Sequence, residues 1–337
     1  MRVLVTGGTG FIGSHTVVAL LDAGHEPFIV DDFSNSSIDV LDQLAGLTGT
    51  RVPHTRLDIR DRDALDTAVA RVQPEAVIHF AARKHVRESF EIPLEYHDVN
   101  IAGTLTLLQT LDRHDCGRRF VYSSSGSIYG TADHFPIAED TTPNPTNPYS
   151  ATKATCERIL ADLSGAEDRW EFVALRYFNP SGAHPSGQIG EAPTGIISNL
   201  LPVAFRAALD SEHTVGIFGD DWPTPDGTAQ RDYVHVCDVA EAHVRALDVP
   251  TGGFEAINIG RGVGVSVLEV LDAVERATGT TIRRSEQPRA DGDVAALYGD
   301  CTKSEELLGF RSERDIDMIC ADAWRWAQQQ QKSEAIS

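Results

Sequence analysis

The sequence lacks the features that mark several large classes of protein. Its five cysteines are scattered with no Cys-x-x-Cys pair, which argues against a disulfide framework and against a zinc site. No stretch approaches the ~20 consecutive apolar residues that a helix needs to cross a bilayer. The chain enters an apolar segment at Arg2–Val5 without the charged region and apolar core of a signal peptide. We therefore expect a cytoplasmic protein with no metal site and no membrane contact.

Positive charge is also scarce. The 337 residues include 29 Lys and Arg against 50 Asp and Glu, which gives a formal net charge of -21. Such an acidic chain is not expected to bind nucleic acid or an anionic membrane. A bound diphosphate would therefore need individually placed arginines, lysines or backbone N–H groups.

Short β-rich segments alternate with helical segments through the first half of the chain. The predicted strands are Arg2–Thr6, Glu26–Asp31, Arg51–Thr55, Ala76–Ala81, Arg118–Ser123 and Glu171–Leu175. The predicted helices between them lie near Gly10–Asp22, Arg62–Arg71, Asn100–His114 and Pro148–Ser164. This alternation predicts an α/β protein with a Rossmann-type, doubly wound parallel sheet.

The composition changes near Tyr177, after which glycine, proline and asparagine become dense. We assign residues 1–176 to the sheet domain and residues 177–337 to a smaller C-terminal α/β lobe that binds the substrate, with some crossover of chain between them. Helices in this lobe are expected near Leu200–Leu209, Val236–Leu247 and Val267–Ala277.

A glycine-rich turn joins the first predicted strand to the first helix. Its glycines, Gly7, Gly10 and Gly13, allow a tight turn and let a pyrophosphate approach the N–H groups at the helix N-terminus. The next strand ends in Asp31-Asp32, about where a carboxylate meets an adenine ribose 2′-hydroxyl. A carboxylate there repels a 2′-phosphate, which favours NAD over NADP. The alternative is a purely structural glycine turn.

Two further strand ends border the predicted NAD site. Asp58-Ile59 follows the third strand and would lie beside an adenine ring, although a loop aspartate capping the next helix explains Asp58 nearly as well. Phe80-Ala81 ends the fourth strand and is followed by Lys84, one of only four lysines in the chain. A solvated surface lysine is the alternative for Lys84.

Tyr149 and Lys153 form a Tyr-x-x-x-Lys motif on a predicted helix that starts at Asn147-Pro148. The two side chains are four residues apart and share one helix face. A tyrosine that acts as a base near neutral pH needs its pKa lowered by about 3 units, or about 4 kcal/mol. A cation at about 4 Å contributes roughly that amount. We expect Lys153, helped by a positive nicotinamide, to supply it; an exposed Tyr–Lys pair is the alternative.

Hydroxyl side chains crowd the end of the fifth predicted strand. Ser125 and Ser127 lie in the run Ser123–Ser127, at the carboxyl end of a central strand, where ligands bind in such sheets. One of these hydroxyls can hydrogen-bond a reacting hydroxyl and relay its proton to Tyr149. A serine-rich turn is the alternative.

These motifs together resemble the extended short-chain dehydrogenase/reductase family and, within it, the UDP-glucose 4-epimerases. The resemblance runs over nearly the whole chain, and its most specific stretch is Leu175–Pro185. It implies an isomerase of galactose or other carbohydrate metabolism that inverts C4 of UDP-glucose and UDP-galactose through a transient 4-keto sugar and enzyme-bound NAD. It also implies a homodimer joined by two helices per subunit.

Other functions use the same scaffold. UDP-N-acetylhexosamine and UDP-pentose 4-epimerases share the chemistry with a different pocket. A 4,6-dehydratase or decarboxylase needs an extra acid or base beside the sugar, and Gly126-Ser127-Ile128 supplies none. A non-catalytic NAD-binding protein is expected to have lost Tyr149 or Lys153, and both are present.

Residue by residue, the resemblance makes Tyr149 the base, Ser125 the hydroxyl relay and Lys153 the pKa-lowering lysine that binds the nicotinamide ribose. With the glycine turn, the predicted NAD-binding residues are Gly7, Gly10, Phe11, Ile12, Gly13, Asp31, Asp32, Asn35, Asp58, Ile59, Phe80, Ala81, Lys84, Asn100, Tyr149, Lys153 and Phe178. The predicted UDP-sugar contacts are Ser125, Ser127, Tyr149, Asn179, Asn199, Leu200, Phe218, Arg231, Arg289 and Asp293.

The sequence departs from the family pattern at several positions. Ala82 replaces a usual glycine and Val99 an asparagine beside Asn100. Leu297 stands where enzymes restricted to unsubstituted hexoses have a bulky tyrosine, so a 2-acetamido group could be admitted.

The predicted diphosphate clamp is also altered. The family's phosphate-binding arginine falls on Ala290, so Arg289 substitutes from one residue earlier or Arg231 acts alone. The guanidinium of Arg231 offers paired donors to phosphate oxygens, with a structural ion pair as the alternative.

Overall fold

The computed structural model describes residues 1–192, 199–210, 212–290 and 293–334. Its strands are β1 (Arg2–Thr6), β2 (Glu26–Asp31), β3 (His54–Arg56), β4 (Ala76–His79), β5 (Arg119–Ser123), β6 (Glu171–Tyr177), β7 (Asn179–Ser181), β8 (Val215–Phe218), β9 (Gln230–Arg231), β10 (Tyr233–His235), β11 (Phe254–Ile259), β12 (Val265–Ser266), β13 (Arg284–Gln287) and β14 (Ala296–Leu297).

The α-helices of the described residues are α1 (Phe11–Asp22), α2 (Asp39–Thr48), α3 (Arg62–Val72), α4 (Val86–Glu91), α5 (Pro93–His97), α6 (Gly103–Arg113), α7 (Pro148–Ala166), α8 (Leu200–Leu209), α9 (Val236–Ala246), α10 (Val267–Thr278), α11 (Thr302–Leu308) and α12 (Ile316–Glu334). A π-helical turn spans Asp98–Ala102, and a 3₁₀ turn spans Gly126–Tyr129. None of these helices is long and apolar enough to cross a membrane.

Seven strands form one parallel sheet in the order β11-β6-β5-β4-β1-β2-β3. The strand order reverses at β1, because the chain first winds outward to β3 and then returns past β1 to β4. Ligands of doubly wound sheets bind at such a switch point, outside the carboxyl ends of the strands. The predicted Rossmann-type parallel sheet is confirmed.

Helices cover both faces of this sheet. Along β1, Val3 and Val5 face the cluster that contains α1, α2 and α9, whereas Leu4 faces the cluster that contains α3, α6 and α7. All three side chains are fully buried. Two-sided burial explains why the central strands are apolar nearly throughout.

The smaller lobe has its own core, in which α8, α10 and α12 pack around β8 and neighbouring short strands. Its small sheets pair β13 with β8 and place β9 between β12 and β14. A serine–glutamate capping box, formed by Ser266 and Glu269, starts α10.

The structure differs from the predicted elements at several points. The third strand is His54–Arg56, not Arg51–Thr55, and the fourth ends at His79 because the chain turns there toward the glycine loop. The seventh sheet strand, β11, was not predicted, because it follows the chain's passage through the smaller lobe. The boundary between domains at residue 176 stays a prediction.

Candidate active site

The predicted site residues come together from different strands at the carboxyl edge of the large sheet. The glycine loop follows β1, Phe80-Ala81 follows β4, the serine run ends β5, and Phe178 follows β6. Neighbouring parallel strands end at the same edge, which explains how segments distant in sequence meet here.

The glycine loop closes tightly on the adjacent strand end. A Cβ on Gly7, whose φ is 70°, would lie 2.8 Å from the backbone nitrogen of Ala81. A Cβ on Gly13 would lie 2.9 Å from the Cα of Gly8 and still closer to the carbonyl oxygen of Gly7. Only glycine fits either position. Gly10 caps α1 without any side-chain hydrogen bond, so the helix N-terminus offers backbone N–H groups to a phosphate.

The first two residues of α1, Phe11 and Ile12, follow this loop directly. The Phe11 ring meets the ring of His15 edge-on, with centroids 5.4 Å apart. Ile12 packs against the apolar cluster under the sheet. Both residues therefore fix the start of α1 and leave its N-terminal backbone facing the loop.

The carboxylate pair that ends β2 is held by backbone N–H groups. Asp31 accepts from Thr9, with a nitrogen–oxygen distance of 3.0 Å, and from Phe33 at 2.9 Å, while Asp32 accepts from Ser34 at 2.8 Å. Asp31 is thus tied to the glycine loop itself. Asn35 is exposed in the turn that follows.

The side chains that follow β3 have definite protein partners. Asp58 accepts from the Nε of Arg60 at 3.0 Å, and this guanidinium holds the pKa of the Asp58 carboxyl below its usual range. The cap of α3 is Asp61, which accepts from the backbone nitrogen of Ala64, so the capping alternative for Asp58 is wrong. Ile59 is buried where α6 begins.

Asn100 braces the segment that follows β4. Its amide oxygen accepts from the backbone nitrogen of Arg83 at 2.8 Å, and its amide nitrogen donates to Thr152 on α7 at 2.9 Å. These bonds tie the loop that carries Lys84 to the Tyr-x-x-x-Lys helix. The Nζ of Lys84 lies 3.9 Å from a carboxylate oxygen of Glu191. The role of Asn100 as an NAD contact stays a prediction.

Helix α7 carries the Tyr-x-x-x-Lys pair. Asn147 caps the helix by accepting from the backbone nitrogen of Ser150 at 2.8 Å, and Pro148 occupies the first turn. The Nζ of Lys153 lies 5.9 Å from the ring centroid of Tyr149 and donates to the carbonyl oxygen of Ser123 at 2.7 Å. This bond fastens the helix to the end of β5.

The predicted hydroxyl run forms a connected group beside this helix. The Oγ atoms of Ser125 and Ser127 are 2.9 Å apart, and Ser150 of α7 donates to Ser127 at 3.0 Å. Ser125 also caps the short 3₁₀ turn that follows it. The hydroxyls and the phenol of Tyr149 therefore belong to one site.

The ionisation of Tyr149 differs from the expectation. Burial raises the pKa of Tyr149 to about 12, and its hydrogen bond with Ser125 opposes this only in part. Burial also lowers the pKa of Lys153 to about 8. The Lys153 ammonium donates to the backbone carbonyl of Ser123 and not to the phenol. The expected help from a positive nicotinamide stays a prediction.

The two arginines predicted to grip the diphosphate are engaged by carboxylates. Arg231 pairs with Asp293 and also donates to the carbonyl oxygen of Val294 at 2.9 Å. Arg289 donates to Asp221 at 2.7 Å and stacks on Trp222, with 3.9 Å between its Cζ and the ring centroid. In this structure Arg231 is therefore in an ion pair with Asp293, as the alternative prediction proposed.

Phe178 and Leu297 lie together beside the predicted sugar position. Both belong to a small apolar cluster that includes Ile128 and Tyr129. The Phe178 ring fits only because Gly126 and Gly299 have no side chains. Leu297 pairs in register with Arg231 across β14 and β9.

The remaining predicted substrate residues lie on the smaller lobe. Asn179 starts β7, and Leu200 is the first residue of α8. The side-chain nitrogen of Asn199 donates to Glu191 at 2.9 Å. Phe218 ends β8 and is partly exposed. Glu191 was missed by the sequence reasoning, because an isolated loop carboxylate carries no pattern.

The comparisons with known proteins agree with this architecture. Residues 3–260 match the NAD dependent epimerase/dehydratase family. The UDP-glucose 4-epimerase of Bacillus subtilis is 44% identical over 328 residues, which covers 97% of this chain and 96% of the relative. The UDP-glucose 4-epimerase of Drosophila melanogaster is 43% identical over 338 residues, covering 97% and 96%.

Solved structures of UDP-glucose 4-epimerases share the fold of this chain. The UDP-glucose 4-epimerase of Stenotrophomonas maltophila, with bound NAD and formylated UDP-arabinopyranose, superimposes with a TM-score of 0.96 at 41% identity and covers 99% of each chain. The enzyme of Bifidobacterium longum, in complex with NAD⁺ and UDP, gives 0.94 at 42% identity and 98% of each chain.

The fold and the site therefore define a member of the NAD dependent epimerase/dehydratase family. Within that family, the chain belongs to the UDP-glucose 4-epimerases. Its own residues fit the dinucleotide that the family name implies: Gly7 and Gly13 let the loop close tightly, α1 presents an open N-terminus, and Asp31 ends the next strand.

Proposed function

We propose that the protein catalyses the reversible inversion of C4 in UDP-glucose and UDP-galactose, with NAD retained as a resident cofactor. One observation carries this proposal: Tyr149 and Lys153 share a helix face next to the Ser125–Ser127 hydroxyls, at the sheet edge that also holds the glycine loop. This is the arrangement that an alcohol oxidation and its reversal require.

In the proposed reaction, Tyr149 as phenolate takes the proton of the sugar 4-hydroxyl, directly or through Ser125. NAD, held by the glycine loop and the open N-terminus of α1, would supply the hydride acceptor and donor for this inversion. Tyr149 then gives the proton back to the new 4-hydroxyl. Lys153 keeps Tyr149 and the end of β5 in register through its bond to Ser123. The transient 4-keto sugar turns over while UDP stays bound.

We assign UDP binding to the smaller lobe, with Arg231 as the diphosphate clamp. A phosphate oxygen would replace Asp293 as the partner of the Arg231 guanidinium, which is already held by backbone carbonyls. Arg289 lies further out against Trp222 and is the second candidate. Exchange of one anionic partner for another leaves the partly buried guanidinium paired throughout.

The test of this function is a conversion assay. Purified protein incubated with UDP-galactose and no added NAD is expected to yield UDP-glucose until the two reach equilibrium, measured by anion-exchange chromatography. UDP-N-acetylgalactosamine in parallel is expected to be converted as well, because Leu297 is smaller than the tyrosine it replaces. Absence of any UDP-glucose would refute the proposal. Conversion of the N-acetylated sugar alone would redefine the substrate.

We further propose that the protein works in the cytoplasm, in galactose and related carbohydrate metabolism. UDP-galactose and UDP-glucose are soluble and doubly charged at the diphosphate, so a protein without a membrane contact is suited to them. The strongly acidic surface does not attract such anions from a distance, and binding must therefore rely on local groups.

We propose a homodimer that uses the surface formed by α4, α5 and the neighbouring α7. Large apolar side chains are exposed there: Phe90 is 57% exposed and Leu94 82% exposed, and both α4 and α5 pack against α7. Light scattering is expected to give twice the chain mass of 36.6 kDa, and a Leu94→Glu variant is expected to shift toward the single chain. A single-chain mass for the unaltered protein would contradict this proposal.

A further inference from the structure

A buried ion pair lies directly behind the proposed catalytic residues. The Nη2 of Arg176 donates to Glu157 at 2.6 Å, and its Nε donates to the other carboxylate oxygen at 3.0 Å. Each side chain is only 6% exposed. The paired geometry is that of a fork of guanidinium donors on a carboxylate, which fixes both groups in orientation.

Glu157 contacts both elements that carry the proposed catalytic residues, namely α7 and the end of β5. Glu157 is on α7, one turn beyond Lys153 and two turns beyond Tyr149, so the three side chains follow one helix face. The same carboxylate accepts a hydrogen bond from the hydroxyl of Ser124, which immediately precedes Ser125. Glu157 therefore ties the helix that carries the base to the strand end that carries the hydroxyls.

Arg176 is linked by hydrogen bonds to residues near the proposed sugar site. Arg176 donates to the hydroxyl of Tyr129 at 2.9 Å, and Tyr129 donates to Asn258 on β11 at 2.7 Å. The amide nitrogen of Asn258 in turn donates to the carbonyl oxygens of Ile137, at 2.8 Å, and Asp300, at 3.1 Å. This chain of bonds ends next to the segment that contains Leu297.

We propose that Glu157 and Arg176 are positioning residues: their ion pair sets the placement of Tyr149 relative to Ser125 and to the sugar-site wall. The inference rests on the proposed function. A buried ion pair that served stability alone could be replaced by apolar side chains at little or no cost. Here two of the pair's further partners, Ser124 and Tyr129, lie at the end of β5 and in the 3₁₀ turn that follows Ser125, so the pair specifies geometry. A third partner, the carbonyl oxygen of Glu139, accepts from Arg176 at 3.0 Å.

The charge of Glu157 also acts on Lys153. Burial lowers the pKa of Lys153, whereas the neighbouring Cys156 and Glu157 raise it in part. The other titratable groups around Lys153 are Tyr149 on the same helix, Tyr122 on β5 and His79 on β4. Without the Glu157 charge the ammonium would lose its proton at a lower pH.

The test is a Glu157→Gln variant, which keeps the shape and the acceptor for Ser124 but removes the charge. Displacement of a base by about 1 Å costs about a hundredfold in rate, so kcat for UDP-galactose is expected to fall by roughly that factor. KM is expected to change little, because the proposed UDP contacts lie on the smaller lobe. The alkaline limb of the kcat–pH profile is expected to move to lower pH.

Two further variants keep this test decisive. Glu157→Gln/Arg176→Met removes both charges and is expected to fold even if the single variant does not, while kcat stays low. Asp238→Asn is the matched control, because Asp238 is also a buried carboxylate that pairs with an arginine, Arg314, but lies on α9 outside the site. This control is expected to lose stability and to keep kcat and the pH profile.

The possible outcomes distinguish a failure of the positioning role from a failure of the proposed function. The positioning role alone would be overturned if the unaltered protein is active and a folded Glu157→Gln or double variant has a normal kcat and a normal pH profile. An unaltered protein that does not epimerise UDP-sugars would overturn the proposed function and this inference with it. The positioning role would be supported if kcat falls and the alkaline limb of the kcat–pH profile moves to lower pH, and if neither change occurs in the Asp238→Asn control.

Discussion

Replacing Tyr149 by phenylalanine is expected to lower kcat for the conversion of UDP-galactose by about two to four orders of magnitude. The substitution removes the phenol that is proposed to accept the proton of the 4-hydroxyl, directly or through Ser125, while the ring keeps its place on α7 beside Lys153. Turnover is measured by the same chromatographic assay. The amount of NAD released from the denatured protein is expected to be unchanged, because the variant retains the glycine loop.

Tyr233→Phe provides the matched control for this experiment. Tyr233 is a buried tyrosine whose ring packs in the core of the smaller lobe. The control is expected to turn over at nearly the normal rate. If Tyr149→Phe did so too, Tyr149 would not be the base, and Ser125 or a solvent path would have to replace it.

The Gly13→Ala substitution is expected to lower the NAD content of the purified protein, with activity restored only partly by added NAD. The new Cβ would meet the backbone of Gly7 and Gly8, and no side chain could move to relieve the contact. Overpacking of this kind costs about 1–3 kcal/mol, and if that cost falls on the NAD-binding conformation of the loop, NAD affinity falls by roughly 5- to 150-fold. The measurement is the NAD content of the purified protein.

Gly165→Ala is the control for this loss, because Gly165 is a helical glycine near the end of α7 with no atom within 4 Å of the position of a Cβ. It is expected to keep its NAD and to gain slightly in stability, since alanine favours helix over glycine by about 1 kcal/mol. A Gly13→Ala protein purified with its full content of NAD would contradict the assignment of the glycine loop to the pyrophosphate.

Much of the sheet could be predicted from the sequence, because its central strands are short apolar segments between turn residues. Both ends of β1 and of β2 were predicted correctly, and so were those of α8. The short helices α4 and α5 were not predicted, since neither is long enough to show a helical period. The place of β11 could not be predicted either, because sheet order is set by packing between distant segments.

The site was predictable as a group of residues but not in its electrostatics. Strand ends of a parallel sheet must meet, which places the glycine loop near Ser125 and Tyr149 without any structure. The pKa of Tyr149 depends on how far burial outweighs its hydrogen bond with Ser125, and that balance is a property of three-dimensional packing. The pairing of Arg231 with Asp293, 62 residues away, is likewise invisible in sequence.

The return of the chain to the large sheet has a mechanical consequence. After leaving β6 the polypeptide enters the smaller lobe, comes back to supply α9 and β11, and leaves again for β12 and α10. The two parts are therefore joined by several covalent connections instead of one flexible linker. Any movement of one part against the other would therefore require several connecting segments to bend together, and a hinge through a single segment of chain is ruled out.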